Sequence, residues 1–235
     1  MLFFPSKEDD EYIIANDLNV CMQNIVIARV KYVKFLGIMI DENMNFKQHV
    51  DSIVKKIRSV NGLLYSRRDF LPQLCRQNIF FALVQSRVQY GIETYGNTSW
   101  NVLQPLHNAC NRVLRTLLYL SRFSHVKDMY LTYNVLPVHL QHKLCVAKII
   151  YKSINNNAIM STVISSMFKL NSVSHSYPTR LSKTKYLYKK TGPAFYKSYV
   201  NAACSDWNLI PLAIRNKQSL SIFMAQYKKY LLDTW

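Results

Sequence analysis

Few residues in this chain combine a type and a spacing that chemistry requires, and each such group has a plainer alternative. Glu8-Asp9-Asp10-Glu11 is the one acidic cluster. Two-metal phosphoryl transfer needs carboxylates converging on ions about 4 Å apart. Here Lys7 and Tyr12 flank the cluster between apolar stretches, a pattern that predicts a solvated turn. His139, His142 and Cys145 stand at i, i+3 and i+6 and could share a helix face. None of the tight Cys/His pairs of structural zinc sites accompanies them, so packing is the expectation. His107 and Cys110 have an imidazole–thiol spacing, but Cys110 belongs to an apolar stripe and is expected to be an inert buried thiol. Five glycines leave no glycine-rich phosphate loop. The sequence therefore assigns no catalytic residue, no metal ligand and no cofactor to this chain.

Positive charge is the stronger signal. The 235 residues carry 30 Lys+Arg against 13 Asp+Glu, a net charge of +17. Residues 1–51 hold 5 basic and 8 acidic side chains, so the remaining 25 and 5 give residues 52–235 a net +20. A field of that sign attracts phosphate backbones and disfavours acidic partners. Between Asp128 and Asp206 there is no acid, whereas Arg180, Lys183, Lys185, Lys189 and Lys190 alternate with Tyr186 and Tyr188. Cations neutralise phosphates and rings stack on unpaired bases, so this stretch is a candidate nucleic-acid contact. Further candidates are Lys55, Lys56, Arg58, Arg67, Arg68, Arg112 and Arg115. The longest apolar run, about Ile79–Val84, is far short of the ~18 residues that cross a bilayer, so no membrane is expected. Five dispersed cysteines suit a reducing compartment, which implies an intracellular location, nucleus or cytoplasm.

The elements that must position these residues fall into an α+β, mainly α, chain. Residues 1–43 form an antiparallel β unit, a short meander, in which Leu2–Phe4, Tyr12–Ile14, Ile25–Val30 and Tyr32–Ile40 are the strands, and Gly37 marks a place where something approaches the backbone closely. Residues 44–122 form a helical bundle. In its first helix Val50, Ile53, Val54, Ile57, Val60 and Leu64 fall on an arc of about 120°, with Asn45 as N-cap. The helix starting at Pro72 has apolar positions nearly all round and is expected to be the most buried. The third, Ser99 to Leu120, has Leu103, Leu106, Cys110, Val113, Leu114 and Leu117 as its stripe, with Arg112 and Arg115 pointing away from it. Residues 123–170 form a helical connector. Residues 171–235 form a basic, mostly helical C-terminal region, whose last helix places Ile222, Phe223, Tyr227, Tyr230 and Leu231 on one face.

An ordered set of segments carries a family resemblance. Val33-Lys34-Phe35-Leu36-Gly37-Ile38-Met39-Ile40-Asp41 comes first, then Phe46 and His49, then the Pro72 helix with Tyr90-Gly91-Ile92-Glu93-Thr94-Tyr95-Gly96. His175-Ser176-Tyr177-Pro178-Thr179-Arg180 and Trp207-Asn208-Leu209-Ile210-Pro211 follow. In order and spacing this set resembles non-LTR (LINE-type) retrotransposon reverse transcriptases, over the region after their catalytic palm. The family often has tryptophan where Tyr95 stands, and its paired catalytic aspartates are not in this chain. The resemblance implies a thumb-like bundle and a primer-grip-like strand at Phe35, Leu36 and Gly37. It also implies a template–primer partner, either RNA–DNA hybrid or duplex, and a palm-bearing polypeptide to which Mg would belong. A stand-alone nucleic-acid-binding or scaffold protein derived from such an element, or a non-functional relic, stays open as an alternative.

Overall fold

Short β-hairpins precede the helices. Cys21–Met22 (β1) pairs antiparallel with Ile25–Val26 (β2), and Tyr32–Phe35 (β3) with Ile38–Asp41 (β4). The computed structural model describes residues 21–22, 25–26, 30–155, 161–168, 170 and 199–235, among which these are two separate two-stranded sheets. The expected strands at Leu2–Phe4 and Tyr12–Ile14 and the acidic cluster lie outside the described residues. The single strand expected over Tyr32–Ile40 is instead a hairpin, with Leu36 and Gly37 as its two-residue turn. Both turn residues have positive φ, 44° and 83°. That is the type I′ arrangement, whose twist matches the flanking strands. Glycine adopts it without strain and leucine does not, which is why a run of strand-forming residues concealed the turn.

Asp41 then converts strand into helix. Its carboxylate is buried. Oδ1 accepts from the backbone N–H of Asn43 (3.2 Å) and Asn45 (3.1 Å), and Oδ2 from that of Phe46 (2.6 Å). Asn45 accepts in turn from Lys47 N–H at 2.9 Å, at the entrance to Lys47–Arg67 (α1). All six apolar positions of the α1 stripe are buried.

A 3-10 turn at Arg68–Phe70 leads to Gln73–Phe80 (α2), a π-helical turn at Phe81–Gln85, Ser86–Gln89 (α3) and Ile92–Tyr95 (α4). This stretch is not the most buried of the bundle, as its sequence suggested. Phe80, Val84 and Val88 are buried, while Leu74 and Phe81 are exposed. The wider π turn keeps residues spaced by four on one side, so a single face suffices. Trp100–Leu117 (α5) buries its predicted stripe completely and packs along α1.

Residues 1–124 and 125–235 are two compact units. The second contains Val126–Thr132 (α6), Val138–Asn155 (α7), Thr162–Met167 (α8), Tyr199–Leu209 (α9), Leu212–Arg215 (α10) and Leu220–Thr234 (α11). One core joins α7, α9 and α11, so residues on both sides of position 170 share it. The Phe223 ring stacks on Tyr151 at 4.7 Å and lies 5.7 Å from Trp207, and the Tyr151 hydroxyl donates to Lys217 O at 2.7 Å. Ile222, expected on the buried face of α11, is exposed. Phe223, Tyr227 and Leu231, four apart, define that face instead and place Ile222 about 100° away from it.

His142 gives this unit a pH dependence. It packs beside the Tyr199 ring, next to the Lys143–Asp206 pair at 2.9 Å. Burial lowers its pKa to about 4; Asp206 works against that shift and Lys143 with it. An unfolded imidazole titrates near 6.5, so between about pH 6.5 and 4 the unfolded chain binds the extra proton. Stability therefore falls as pH drops through that window. His139, lowered by burial and by Lys143, acts in the same direction. Urea midpoints of the full chain should decline from pH 7 to 4.5, and His142→Gln should flatten the decline. A wild-type midpoint that stays constant over that range would contradict this.

Candidate nucleic-acid interface

Two helical stripes border the seam where α1 and α5 pack. On α1, Arg58, Asn61 and Tyr65 stand at i, i+3 and i+7; on α5, Pro105, Asn108, Arg112 and Arg115 recur at intervals of three or four. Each stripe flanks the buried one, so packing the apolar residues together brings the polar flanks face to face. The result is two adjoining hollows that share Asn108 and Arg112. One, about 300 Å³, is lined by Arg58, Asn61, Pro105 and Ala109 besides the shared pair. The other, about 420 Å³, adds Tyr65, Arg68, Arg115, Thr116, Leu120 and Arg122. Among the described residues five arginines line the groove, and no carboxylate does.

Neighbouring groups hold several of these side chains in place. The Thr116 hydroxyl donates to Asn61 Oδ1 at 2.9 Å. The Arg68 guanidinium lies 4.7 Å from the ring centres of both Tyr65 and Tyr119, and Arg76 lies 4.7 Å from Tyr119. Arg76 Nη1 donates to Leu117 O at 2.9 Å, at the carbonyl end of α5 where a cation is favoured. Arg115 Nη2 donates to Ser124 O at 3.2 Å, which draws its side chain over the end of α5 and leaves it half-buried. Arg58 and Arg112 are exposed. Arg68 has an acid near it, Asp69 at 3.8 Å, but Asp69 is largely exposed and such a pair is weak. Planar guanidinium forks near one another suit phosphate oxygens.

No family model, curated protein or solved structure matches the chain.

Of the residues singled out in the sequence, the structure gathers Arg58, Arg68, Arg112 and Arg115 into the groove. Lys55, Lys56 and Arg67 are exposed on α1 but do not line it. Arg180, Lys183, Lys185, Tyr186, Tyr188, Lys189 and Lys190 lie outside the described residues. Sequence reasoning missed Arg122, Tyr65, Asn61 and Asn108. The last three were legible as the continuation of the arginine stripes at helical spacing, whereas Arg122 follows the end of α5 and has no periodic signal.

Phe35, Leu36 and Gly37 sit at the tip of the β3–β4 hairpin, with Phe35 61% and Leu36 74% exposed. The tip is fastened from behind. Tyr90 donates its hydroxyl to Leu36 O at 2.5 Å, and its ring lies 3.2 Å from where a Gly37 Cβ would stand. Gly91 has φ +67°, and a Cβ there would stand 2.4 Å from Ile38 Cδ1. Met39 N–H donates to His49 Nδ1 at 3.4 Å, and His49 meets the Tyr95 ring edge-on. The motif residues Tyr90, Gly91, Tyr95 and His49 thus all brace one hairpin.

The alternative chemistries gain nothing from the geometry. Cys110 is buried and its thiol is pushed up to about 12 by desolvation, which removes the thiolate needed for nucleophilic attack. Among the described residues no three His, Cys, Asp or Glu side chains converge as a metal site. No described helix is long and apolar enough to cross a membrane.

Proposed function

We propose that this chain grips nucleic acid as the post-palm part of a non-LTR (LINE-type) retrotransposon reverse transcriptase: a thumb-like bundle with a basic tail. The observation that carries the reading is the α1–α5 groove, where arginines collect without a carboxylate. The exposed Phe35–Leu36 tip, held by Tyr90, adds support, because it is the segment the resemblance assigns to the primer end. Net +20 over residues 52–235 supplies the long-range attraction. Nucleotide addition, with its Mg ions, belongs to a palm-bearing polypeptide. This chain contributes grip and position.

Titration of a labelled RNA–DNA hybrid into the full chain at increasing salt tests the proposal. Affinity should be nanomolar to micromolar and largely independent of sequence, with a steep salt slope. Arg58→Gln with Arg112→Gln should flatten that slope by about two units, roughly one for each phosphate no longer neutralised. The same preparation should add no nucleotide to a primed RNA template. A wild type that fails to bind, or binds with no salt dependence, would refute the reading. So would incorporation that persists after contaminants are removed.

A further inference from the structure

The larger hollow of the groove supports a narrower statement, which rests on the nucleic-acid reading above. We infer that it takes one nucleotide of an unpaired strand, with its phosphate among the arginines and its base against the Tyr65–Arg68 stack. An intact duplex would not enter it.

Size comes first. A hollow of about 420 Å³ falls within the ~300–1,000 Å³ of pockets that enclose a small ligand. A duplex keeps its bases stacked inside and could only rest on the rim. The second consideration is phosphate chemistry. Arg112 is exposed, and Arg115 is held by its bond to Ser124 O while its Nε–H is buried without a protein partner. A phosphate oxygen in the hollow would meet the exposed Arg112 guanidinium, with Arg68, Arg115 and Arg122 on the same lining.

Base chemistry is the third. Tyr65 is 62% exposed, and Arg68 already lies across its ring at 4.7 Å, so a flat aromatic and a flat cation form the start of a stack that a base extends. Asn108 places a carboxamide on the lining of this hollow, and Asn61 places one on the adjoining smaller hollow. Thr116 orients Asn61, and Asn108 is exposed. A carboxamide offers a donor and an acceptor side by side, which matches a base edge. In a duplex the partner strand already uses the Watson–Crick edges, so an amide beside a stack favours an unpaired base.

The test uses the full chain and four probes at one salt concentration: a 12-nucleotide single strand, its blunt duplex, the duplex with a single-stranded overhang, and free adenosine monophosphate as competitor. The single strand and the overhang should bind at least tenfold more tightly than the blunt duplex, and the mononucleotide should compete poorly. Tyr65→Ala and Asn108→Ala, both at exposed positions, should each erase most of that ratio and leave the salt slope unchanged. Arg112→Gln should lower the slope by about one unit for every probe it still binds. Unchanged thermal midpoints would show that the variants keep the fold.

A blunt duplex bound as tightly as the single strand overturns the inference. So does a ratio that survives Tyr65→Ala and Asn108→Ala, or a mononucleotide that competes as well as the strand. If the duplex binds tightly and Arg112→Gln weakens it, the nucleic-acid reading stands and the single-strand inference alone falls. If no probe binds, both fall.

Discussion

Trp207→Ala should lower the stability of the full chain by about 3–5 kcal/mol, the usual loss when a fully buried tryptophan is truncated. Trp207 is 1% exposed and sits on α9 in the core shared with α7 and α11, with the Phe223 ring 5.7 Å away and Tyr151 stacked on that ring. Its removal leaves a hole that three helices line, and their backbones are too constrained by one another to close it. Domains are stable by only about 5–15 kcal/mol, so the variant should be largely unfolded at modest urea concentrations. Trp207→Phe keeps part of the volume and should lose clearly less. Urea denaturation followed by far-ultraviolet circular dichroism measures both. A loss below about 1 kcal/mol for the alanine variant would mean that the core of residues 125–235 does not depend on this ring.

The second large effect belongs to Asp41→Ala. One carboxylate accepts from three backbone donors at 2.6–3.2 Å, and all three belong to the segment that turns β4 into α1. Bonds to a charged acceptor are worth more than neutral ones, and losing the acceptor leaves partly buried N–H groups unmatched. The expected loss is about 2–3 kcal/mol, above that of an ordinary helix cap. Asp41→Asn retains one accepting oxygen and should fall between wild type and alanine. The comparison is made by urea denaturation at pH 7. Equal stabilities for wild type and Asp41→Ala would show that water replaces the carboxylate without penalty.

The parts of this fold that were legible in the sequence are those set by local periodicity. The stripes of α1 and α5 and the last helix follow from apolar residues three and four apart. The hairpin was not legible as a hairpin, because Leu36 is a poor turn residue and is held in its conformation by a tyrosine 54 positions away. Likewise α9 lacks a clean amphipathic pattern, since Asn201 is buried along with Ala203, Cys204 and Trp207. For the groove, wheel angles showed which way Arg58, Arg112 and Arg115 leave their own helices. They could not show that α1 and α5 lie side by side with those flanks adjoining. Arg115 illustrates the limit: its wheel position faces outward, yet the bond to Ser124 folds it back to a half-buried site.

Among the described residues, all the cations that line the groove are arginines, although the chain is also rich in lysine. Acetyl transfer, which cancels the charge of a lysine, does not act on a guanidinium. The positive charge of this lining is therefore out of reach of lysine acetylation, unlike that of the exposed Lys55 and Lys56 on the same helix α1.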